Sequence, residues 1–166
     1  VSAPGNLYST FVGPPPPLAS LSLLPFAVSL AVRDALVEHL PEARQDAVTL
    51  KWPNDVLIDG AKTSGILIEY RSERQRAPLM AIGIGINIEH APDILGRATS
   101  CLAREGSQAT AGSLFSSLRH ALARRLEKLE SDFEGIIPAW MRKATGILKT
   151  ILSGFNNCLN SIASSP

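Results

Sequence analysis

The stretch that decides the fold is Met80-Ala-Ile-Gly-Ile-Gly-Ile-Asn-Ile88, in which large and small residues alternate. In a β-strand, successive side chains point to opposite faces of the sheet. A strand here places isoleucines 82, 84, 86 and 88 on one face. Gly83, Gly85 and Asn87 fall on the other face, where the two glycines leave the backbone bare. The pattern therefore predicts a sheet with one packed face and one face that a flat ligand can reach.

The two glycines have a second explanation, because a glycine in a strand also lets a helix pack closely against the sheet. The sequence leaves both explanations open. The stretch is not a dinucleotide-binding fingerprint, since Ile88 stands where the third glycine would be needed. A Walker-type phosphate loop is also absent from the sequence.

Hydrophobic periodicity on both sides of this stretch predicts an α/β (α+β) fold in which helices back a mixed β-sheet. Strands are expected at residues 6–12, 48–52, 56–58, 65–68 and 80–88, and helices at residues 25–40, 113–133 and 138–143. Asp59-Gly60 is a turn signal that suits a hairpin between the third and fourth strands. Ser113 is expected to cap the long second helix.

The bulk composition is typical of one soluble globular domain, with 166 residues of which 45% are hydrophobic and 19% are charged. Sixteen basic residues against fifteen acidic ones argue against a broad nucleic-acid-binding face. The most apolar stretch, residues 18–32, is shorter than the roughly 20 residues of a membrane span, so no membrane association is expected. Cys101 and Cys158 lie far apart in no metal-ligand spacing, which indicates reduced thiols in the cytoplasm.

Lys51-Trp-Pro-Asn-Asp55 is a second candidate for chemistry. Pro53 ends a strand, so Asn54 and Asp55 emerge at its end, where ligands commonly meet a sheet. A carboxylate beside a carboxamide offers the hard oxygen ligands that Mg²⁺ prefers. The alternative is that Asn54 and Asp55 only form a turn and that Trp52 belongs to the core.

Lys62 is the third candidate, because it follows the Asp59-Gly60 turn and precedes Ser64-Gly65. Most lysines on a hairpin are simply solvated, and that alternative stays open for Lys62. If the hairpin folds back over the sheet, however, the lysine lies between the other two candidate segments. Its ammonium group could then point at an anionic substrate.

Four segments in this order resemble the catalytic domain of the biotin–protein ligase family, over roughly residues 3–146. They are Ala3-Pro-Gly-Asn-Leu-Tyr8, Lys51-Trp-Pro-Asn-Asp55, Lys62-x-x-Gly65-Ile-Leu-x-Glu69 and Gly83-x-Gly85-x-Asn87. The resemblance implies a class II synthetase-like domain that activates biotin with ATP and Mg²⁺ to biotinyl-5′-adenylate. It also implies that biotin then passes to a lysine of the biotin carboxyl carrier domain of acetyl-CoA carboxylase.

The resemblance assigns a role to each matched residue. Lys62 would be catalytic and would contact both the biotin carboxylate and the α-phosphate. Biotin would also contact Gly65, Gly83, Ile84 and Gly85, with Ile84 lining the pocket. ATP would contact Asn54, Asp55 and Asn87, and the resemblance implies Asp55 and Asn87 as ligands of Mg²⁺.

This chain departs from the family pattern at both ends. The family's Gly/Arg-rich adenylate loop and its polar biotin contacts precede the strand at which this sequence begins, and the uncharged residues after Lys149 match nothing in the family. We therefore expect residues 1–149 to be a partial catalytic domain and residues 150–166 to be a poorly ordered tail. The polypeptide by itself is expected to form biotinyl-adenylate very poorly.

Two other functions stay open: a lipoate or octanoate transferase of the same superfamily, and a non-catalytic fragment that binds a nucleotide or a carrier domain. The Lys51-Trp-Pro-Asn-Asp55 run favours biotin over lipoate. For the polypeptide alone, the missing arginine-rich loop favours the non-catalytic fragment. The expected partner is the carrier domain, a homodimer is one expectation for the assembly, and the expected location is the cytoplasm.

Overall fold

One six-stranded β-sheet organises the part of the chain that the computed structural model describes, residues 4–72 and 77–146. Its strands are β1 (Leu7–Gly13), β2 (Val48–Lys51), β3 (Asp55–Ile58), β4 (Ala61–Arg71), β5 (Leu79–Ile86) and β6 (Ala144–Thr145). Their order across the sheet is β1-β5-β4-β3-β2-β6. Every pairing is antiparallel except β2 with β6, which is parallel, so the predicted mixed sheet is confirmed.

The described residues form the helices α1 (Leu18–Leu21), α2 (Leu24–Glu38), α3 (Glu42–Gln45), α4 (Ala111–Ser131) and α5 (Phe133–Met141), with a 3₁₀ turn at Leu102–Glu105. Of these, α2 and α4 cover one face of the sheet. The two long helices, α2 and α4, pack against each other and share the core with the sheet. Helix α2 is buried along most of its length, and the first half of its sequence is apolar almost all round.

The isoleucine face of β5, continued by Ile88 just after the strand, forms the centre of the core. Ile82, Ile84, Ile86 and Ile88 are at most 2% exposed and join one cluster with leucines of α2 and α4. Trp140 of α5 closes this core from the side, and its indole Nε1 donates a hydrogen bond to the Ser29 hydroxyl at 3.0 Å. The prediction of one packed sheet face is therefore confirmed.

The hairpin between β3 and β4 is also confirmed, with Asp59 and Gly60 as its two turn residues. Both have positive φ angles, 48° for Asp59 and 77° for Gly60, which matches the right-handed twist of the strands. The pairing is interrupted further along, because Leu57 pairs with Lys62 whereas Val56 pairs with Ser64. Thr63 is thus an extra residue in β4, which makes this position a β-bulge.

Two predicted helix boundaries are wrong. Helix α4 begins at Ala111, and its N-cap is Thr110 rather than Ser113. Thr110 Oγ1 accepts from the Ser113 backbone at 3.2 Å, and the Ser113 hydroxyl accepts from the Thr110 backbone at 3.0 Å, so the two residues form a capping box. The last helix begins at Phe133 instead of residue 138, because Asp132 caps it by accepting from the Gly135 backbone at 3.2 Å. The tail at residues 150–166 lies outside the described residues.

Candidate functional site

The glycine face of β5 is open in the described residues, because α2 and α4 pack on the opposite face. Gly85 lies between Tyr8 and Gly65 of the neighbouring strands, and Gly83 lies between Thr10 and Leu67. Together the two glycines form the floor of a shallow cleft of about 370 Å³, which we call the glycine cleft.

The surroundings of these glycines test the explanation that a helix packs against them. A Cβ atom on Gly83 would lie 3.6 Å from the backbone oxygen of Leu67, and one on Gly85 would lie 3.5 Å from the Tyr8 ring. Both distances are ordinary van der Waals contacts, and both neighbours belong to strands rather than helices. Within residues 4–72 and 77–146, the explanation that the glycines accommodate a packed helix is therefore wrong.

Lys62 lies on the same open face, beside the glycine cleft. Its side chain runs over Gly65, where an added Cβ would come within 3.3 Å of Cε and Nζ. The Lys62 ammonium lies 2.5 Å from Asp55 Oδ1, and the two side chains are only 27% and 14% exposed. The alternative of a solvated hairpin lysine is therefore wrong, since Lys62 is largely buried and paired.

Two smaller clefts lie on either side of Lys62. One, of about 200 Å³, is lined by Tyr8, Gly85 and Asn87, and we call it the Tyr8 cleft. The other, of about 160 Å³, is lined by Lys51, Asp55 and Arg97, and we call it the Arg97 cleft. The Arg97 cleft is bordered by three basic side chains, Lys51, Lys62 and Arg97. Its one carboxylate, that of Asp55, already pairs with Lys62. The Arg97 cleft therefore has the charge that attracts phosphate or carboxylate groups.

The two candidate asparagines use their side-chain amides to hold the site together. Asn54 Nδ2 donates to the Ile66 carbonyl at 3.1 Å, and this fastens the β2–β3 connection to β4. Asn87 Nδ2 donates to the Ser100 carbonyl at 3.0 Å, and the Asn87 backbone donates to the Thr63 carbonyl at 2.9 Å. Asn87 thus ties the end of β5 both to the bulge in β4 and to residues 98–100.

The model of the Biotin/lipoate A/B protein ligase family matches residues 1–87, more than half of the 166 residues. The chain belongs to this family. It is 33% identical over 158 residues to the biotin–[acetyl-CoA-carboxylase] ligase of Paracoccus denitrificans, a match that covers 90% of this chain and 65% of that protein.

Solved structures of biotin protein ligases have the same fold. The Leishmania major enzyme in complex with biotinyl-5-AMP matches with a TM-score of 0.71 at 27% identity, covering 85% of this chain and 62% of that one. The Aquifex aeolicus enzyme in complex with biotin and ATP matches with a TM-score of 0.68 at 25% identity, covering 84% of this chain and 58% of that one. The chain thus spans about three-fifths of the length of these relatives.

Within this ligase-family domain, the predicted magnesium ligands do not border one cleft. Asp55 borders the Arg97 cleft, whereas Asn87 borders the Tyr8 cleft on the other side of Lys62. Across residues 4–72 and 77–146, no group of three or more His, Cys, Asp or Glu side chains could hold a metal ion. Asp55 can still supply one carboxylate, which suits the way Mg²⁺ joins a protein carboxylate to substrate phosphates. Joint ligation by Asp55 and Asn87 stays a prediction.

The surroundings of two further residues, Ile84 and Trp52, differ from the predicted ones. The Ile84 side chain is 2% exposed and belongs to the core, so only its backbone can border the glycine cleft. Trp52 is not a core residue, since it is 42% exposed and stacks on Phe26 with ring centroids 5.0 Å apart.

The 92–99 segment brings to the clefts residues that the sequence did not predict. Pro92, Ile94 and Thr99 border the Tyr8 cleft, and Arg97 borders the Arg97 cleft. This segment is irregular, so its sequence has no periodic pattern that could have identified it. Among the described residues, no helix of this family member is both long enough and apolar enough to cross a membrane.

Proposed function

We propose that this chain carries the biotin- and nucleotide-binding face of a biotin–protein ligase, which activates biotin with ATP and transfers it to a carrier-domain lysine. The observation that carries this proposal is the position of Lys62. Its ammonium group lies at the edge of a bare glycine surface and also borders a cleft with two further basic residues, Lys51 and Arg97. A flat uncharged ring system suits the first surface, and phosphate groups suit the second.

The proposed reaction uses the ammonium group of Lys62 to stabilise charge. Biotin lies on Gly83 and Gly85 with its carboxylate directed at Lys62. A carboxylate oxygen attacks the α-phosphorus of ATP, a new phosphorus–oxygen bond forms, and the bond to pyrophosphate breaks. Negative charge builds up on the phosphoryl oxygens in the transition state, where a positioned cation is more effective than covalent chemistry by the protein.

Asp55 is the residue that we propose to hold Mg²⁺, with substrate phosphates as further ligands. When bound, the metal would neutralise phosphate charge. Because the Asp55 carboxylate is already 2.5 Å from the Lys62 ammonium, it also fixes the direction of that ammonium. Asn54 and Asn87 support the site by bracing the connection before β3 and the end of β5, and their proposed contacts with ATP come from the resemblance.

The carrier domain of acetyl-CoA carboxylase is the proposed acceptor, by analogy with the Paracoccus relative. A cytoplasmic location is also proposed, and the buried free thiol of Cys101 is consistent with it. Homodimer formation stays a prediction, as does poor formation of biotinyl-adenylate by this polypeptide alone. Biotin-dependent release of pyrophosphate would measure that activity.

Binding to the 166-residue chain tests the proposal directly. Calorimetric titration with a non-hydrolysable biotinyl-adenylate analogue should give a 1:1 complex, and Gly85→Val should abolish it. Gly13→Val is the matched control, because Gly13 also lies in a strand and a Cβ there meets no atom within 4 Å. Preference for a lipoyl- or octanoyl-adenylate analogue would instead favour the transferase. Binding of none of these ligands by the folded chain would contradict the proposal.

A further inference from the structure

Arg44 connects two segments that flank the site. From α3 it reaches Asp59 in the β3–β4 turn, with Nη1 2.8 Å from Oδ2. It also reaches Glu105 in the 3₁₀ turn, where Nε donates to Oε2 at 3.1 Å and Nη2 donates to the same oxygen. The hydrogen bonds that Arg44 donates to the carboxylates, first to Glu105 and then to Asp59, raise the pKa of Arg44. The guanidinium is therefore fixed between two carboxylates.

Glu105 uses its second carboxylate oxygen on Ser100. The Ser100 hydroxyl donates to Glu105 Oε1 at 2.5 Å, and the Glu105 side chain is only 11% exposed. One carboxylate thus receives hydrogen bonds from a guanidinium and from a hydroxyl in different segments. Hydrogen bonds with a charged partner are about twice as strong as neutral ones.

Ser100 in turn belongs to the short segment that holds the backbone of Lys62. The Lys62 backbone N–H donates to the Ala98 carbonyl at 2.8 Å, and the Ser100 backbone N–H donates to the Lys62 carbonyl at 3.0 Å. The Ser100 carbonyl also accepts from Asn87 Nδ2 at 3.0 Å. Both backbone groups of Lys62 therefore form hydrogen bonds with residues 98–100. This segment belongs to no named strand, and an isolated β-bridge pairs its Thr99 with Lys62.

We propose that Glu105 is a positioning residue for Lys62. Held on one side by Arg44, Glu105 fixes Ser100, which fixes the backbone of Lys62 and with it the direction of the ammonium group. The importance of this direction for ligation rests on the function proposed above. The positioning itself is a property of the chain and can be measured without any ligand.

Chemical reactivity of the Lys62 amine provides that measurement. Competitive acetylation of the folded 166-residue chain with acetic anhydride, read by mass spectrometry of peptides, gives the labelling rate of Lys62 relative to Lys143. In the wild-type chain the pair with Asp55 should keep Lys62 slow to react. Glu105→Gln preserves the size of the side chain but removes the charge that both donors use. It should speed Lys62 labelling by about tenfold, and Ser100→Ala should act in the same direction.

Asp34→Asn is the matched control. It breaks the ion pair between Asp34 and Arg125, which is also partly buried and has a nitrogen–oxygen distance of 2.8 Å, but which joins α2 to α4 away from Lys62. The proposal expects wild-type labelling of Lys62 in this variant. If Glu105→Gln does not fold, as judged by thermal unfolding, the smaller change Ser100→Ala decides the question.

The outcomes separate this proposal from the proposed function. Faster labelling in Glu105→Gln and Ser100→Ala but not in Asp34→Asn supports positioning, even if no biotin ligand binds. Unchanged labelling in the first two variants overturns it, even if the ligand binds normally. An equal increase in Asp34→Asn also overturns it, because the effect would then be a general loosening of the fold.

Discussion

Replacing Lys62 with methionine removes the ammonium group and keeps an unbranched side chain that can still lie over Gly65. The wild-type stem makes that contact, with Cε 3.3 Å from the place of a Gly65 Cβ, and methionine adapts to such positions. The substitution therefore isolates the charge. It leaves the Asp55 carboxylate, which is 14% exposed, without its partner at 2.5 Å.

The structure sets a range for the free energy of unfolding that Lys62→Met removes. At the 2.5 Å separation of Lys62 Nζ and Asp55 Oδ1, two unit charges attract by about 7 kcal/mol at an effective dielectric constant of about 20, and by about 2 kcal/mol in bulk water. Desolvation of both ions offsets much of this attraction. Exposed pairs contribute up to about 1 kcal/mol, whereas breaking a buried pair costs about 3–5 kcal/mol. For this intermediate pair we expect Lys62→Met to lower the free energy of unfolding by about 2 kcal/mol.

Urea unfolding of four proteins would test this value: wild type, Lys62→Met, Asp55→Asn and the double variant. Asp55→Asn should cost less than Lys62→Met, because the freed lysine can extend its charge into water. The double variant should be more stable than the sum of the single effects predicts, by about 1–2 kcal/mol. Additive effects, within about 0.5 kcal/mol, would show that the pair contributes no coupling.

The effect of Lys62→Met on activity can be measured in a chimera. The chimera joins this chain to the regions of the Paracoccus ligase that the chain does not match. Loss of one positioned donor typically lowers a rate by about 10²- to 10³-fold. Lys62→Met should lower single-turnover formation of biotinyl-adenylate by that factor and weaken ATP binding far less. If most of the single-turnover rate remained, Lys62 would be only the structural partner of Asp55.

Three further predictions concern the glycine face, the cap of α4 and the tail. Gly83→Val and Gly85→Val should keep the thermal midpoint near that of the wild type while calorimetry detects no biotin ligand, since valine favours strands; a collapsed fold would show that the bare backbone serves packing. Thr110→Ala should lower the free energy of unfolding by about 1 kcal/mol in urea, and an unchanged midpoint would mean that the capping box contributes nothing. Deleting residues 150–166 should change the free energy of unfolding by less than about 1 kcal/mol. A loss of several kcal/mol would show that the tail packs on the domain.

The sheet could be predicted from the sequence because the period of two is strong and local. Ile82 to Ile88 alternate with small residues, and burial of one whole face leaves only one register that keeps them inside. The β3–β4 hairpin was equally predictable, because Asp59-Gly60 supplies the two positive φ angles that a tight turn needs.

Helix ends were harder to predict because several residues there have equal intrinsic preference for the cap. Thr110 and Ser113 are both good N-cap residues, and in the capping box each uses its side chain on the other. The start of α5 was missed because Pro138, a typical first-turn residue, lies inside the helix after Asp132 has already capped it. Local propensity ranks such candidates but cannot choose between them.

The candidate site was predictable as separate residues but not as an arrangement. Lys62 and Asp55 could both be predicted from the sequence, yet their ion pair depends on the register of β3 against β4. Arg97, Ser100 and Glu105 could not be predicted. They act through irregular segments whose positions follow from tertiary hydrogen bonds, and such contacts leave no periodic signal in the sequence.

The bulge at Thr63 explains how the lysine and the glycines come to share one face. In an uninterrupted strand, residues 62 and 65 would point to opposite sides of the sheet, because side chains alternate. The extra residue brings residues 62 and 65 to the same side of the sheet. Lys62 then pairs with Leu57, and Gly65 pairs with Asp55, on the open face. The Thr63 carbonyl also accepts the Asn87 backbone N–H at 2.9 Å. A one-residue irregularity, of the kind that bulges supply beside functional sites, thus brings together three of the four segments that carry the resemblance to a ligase.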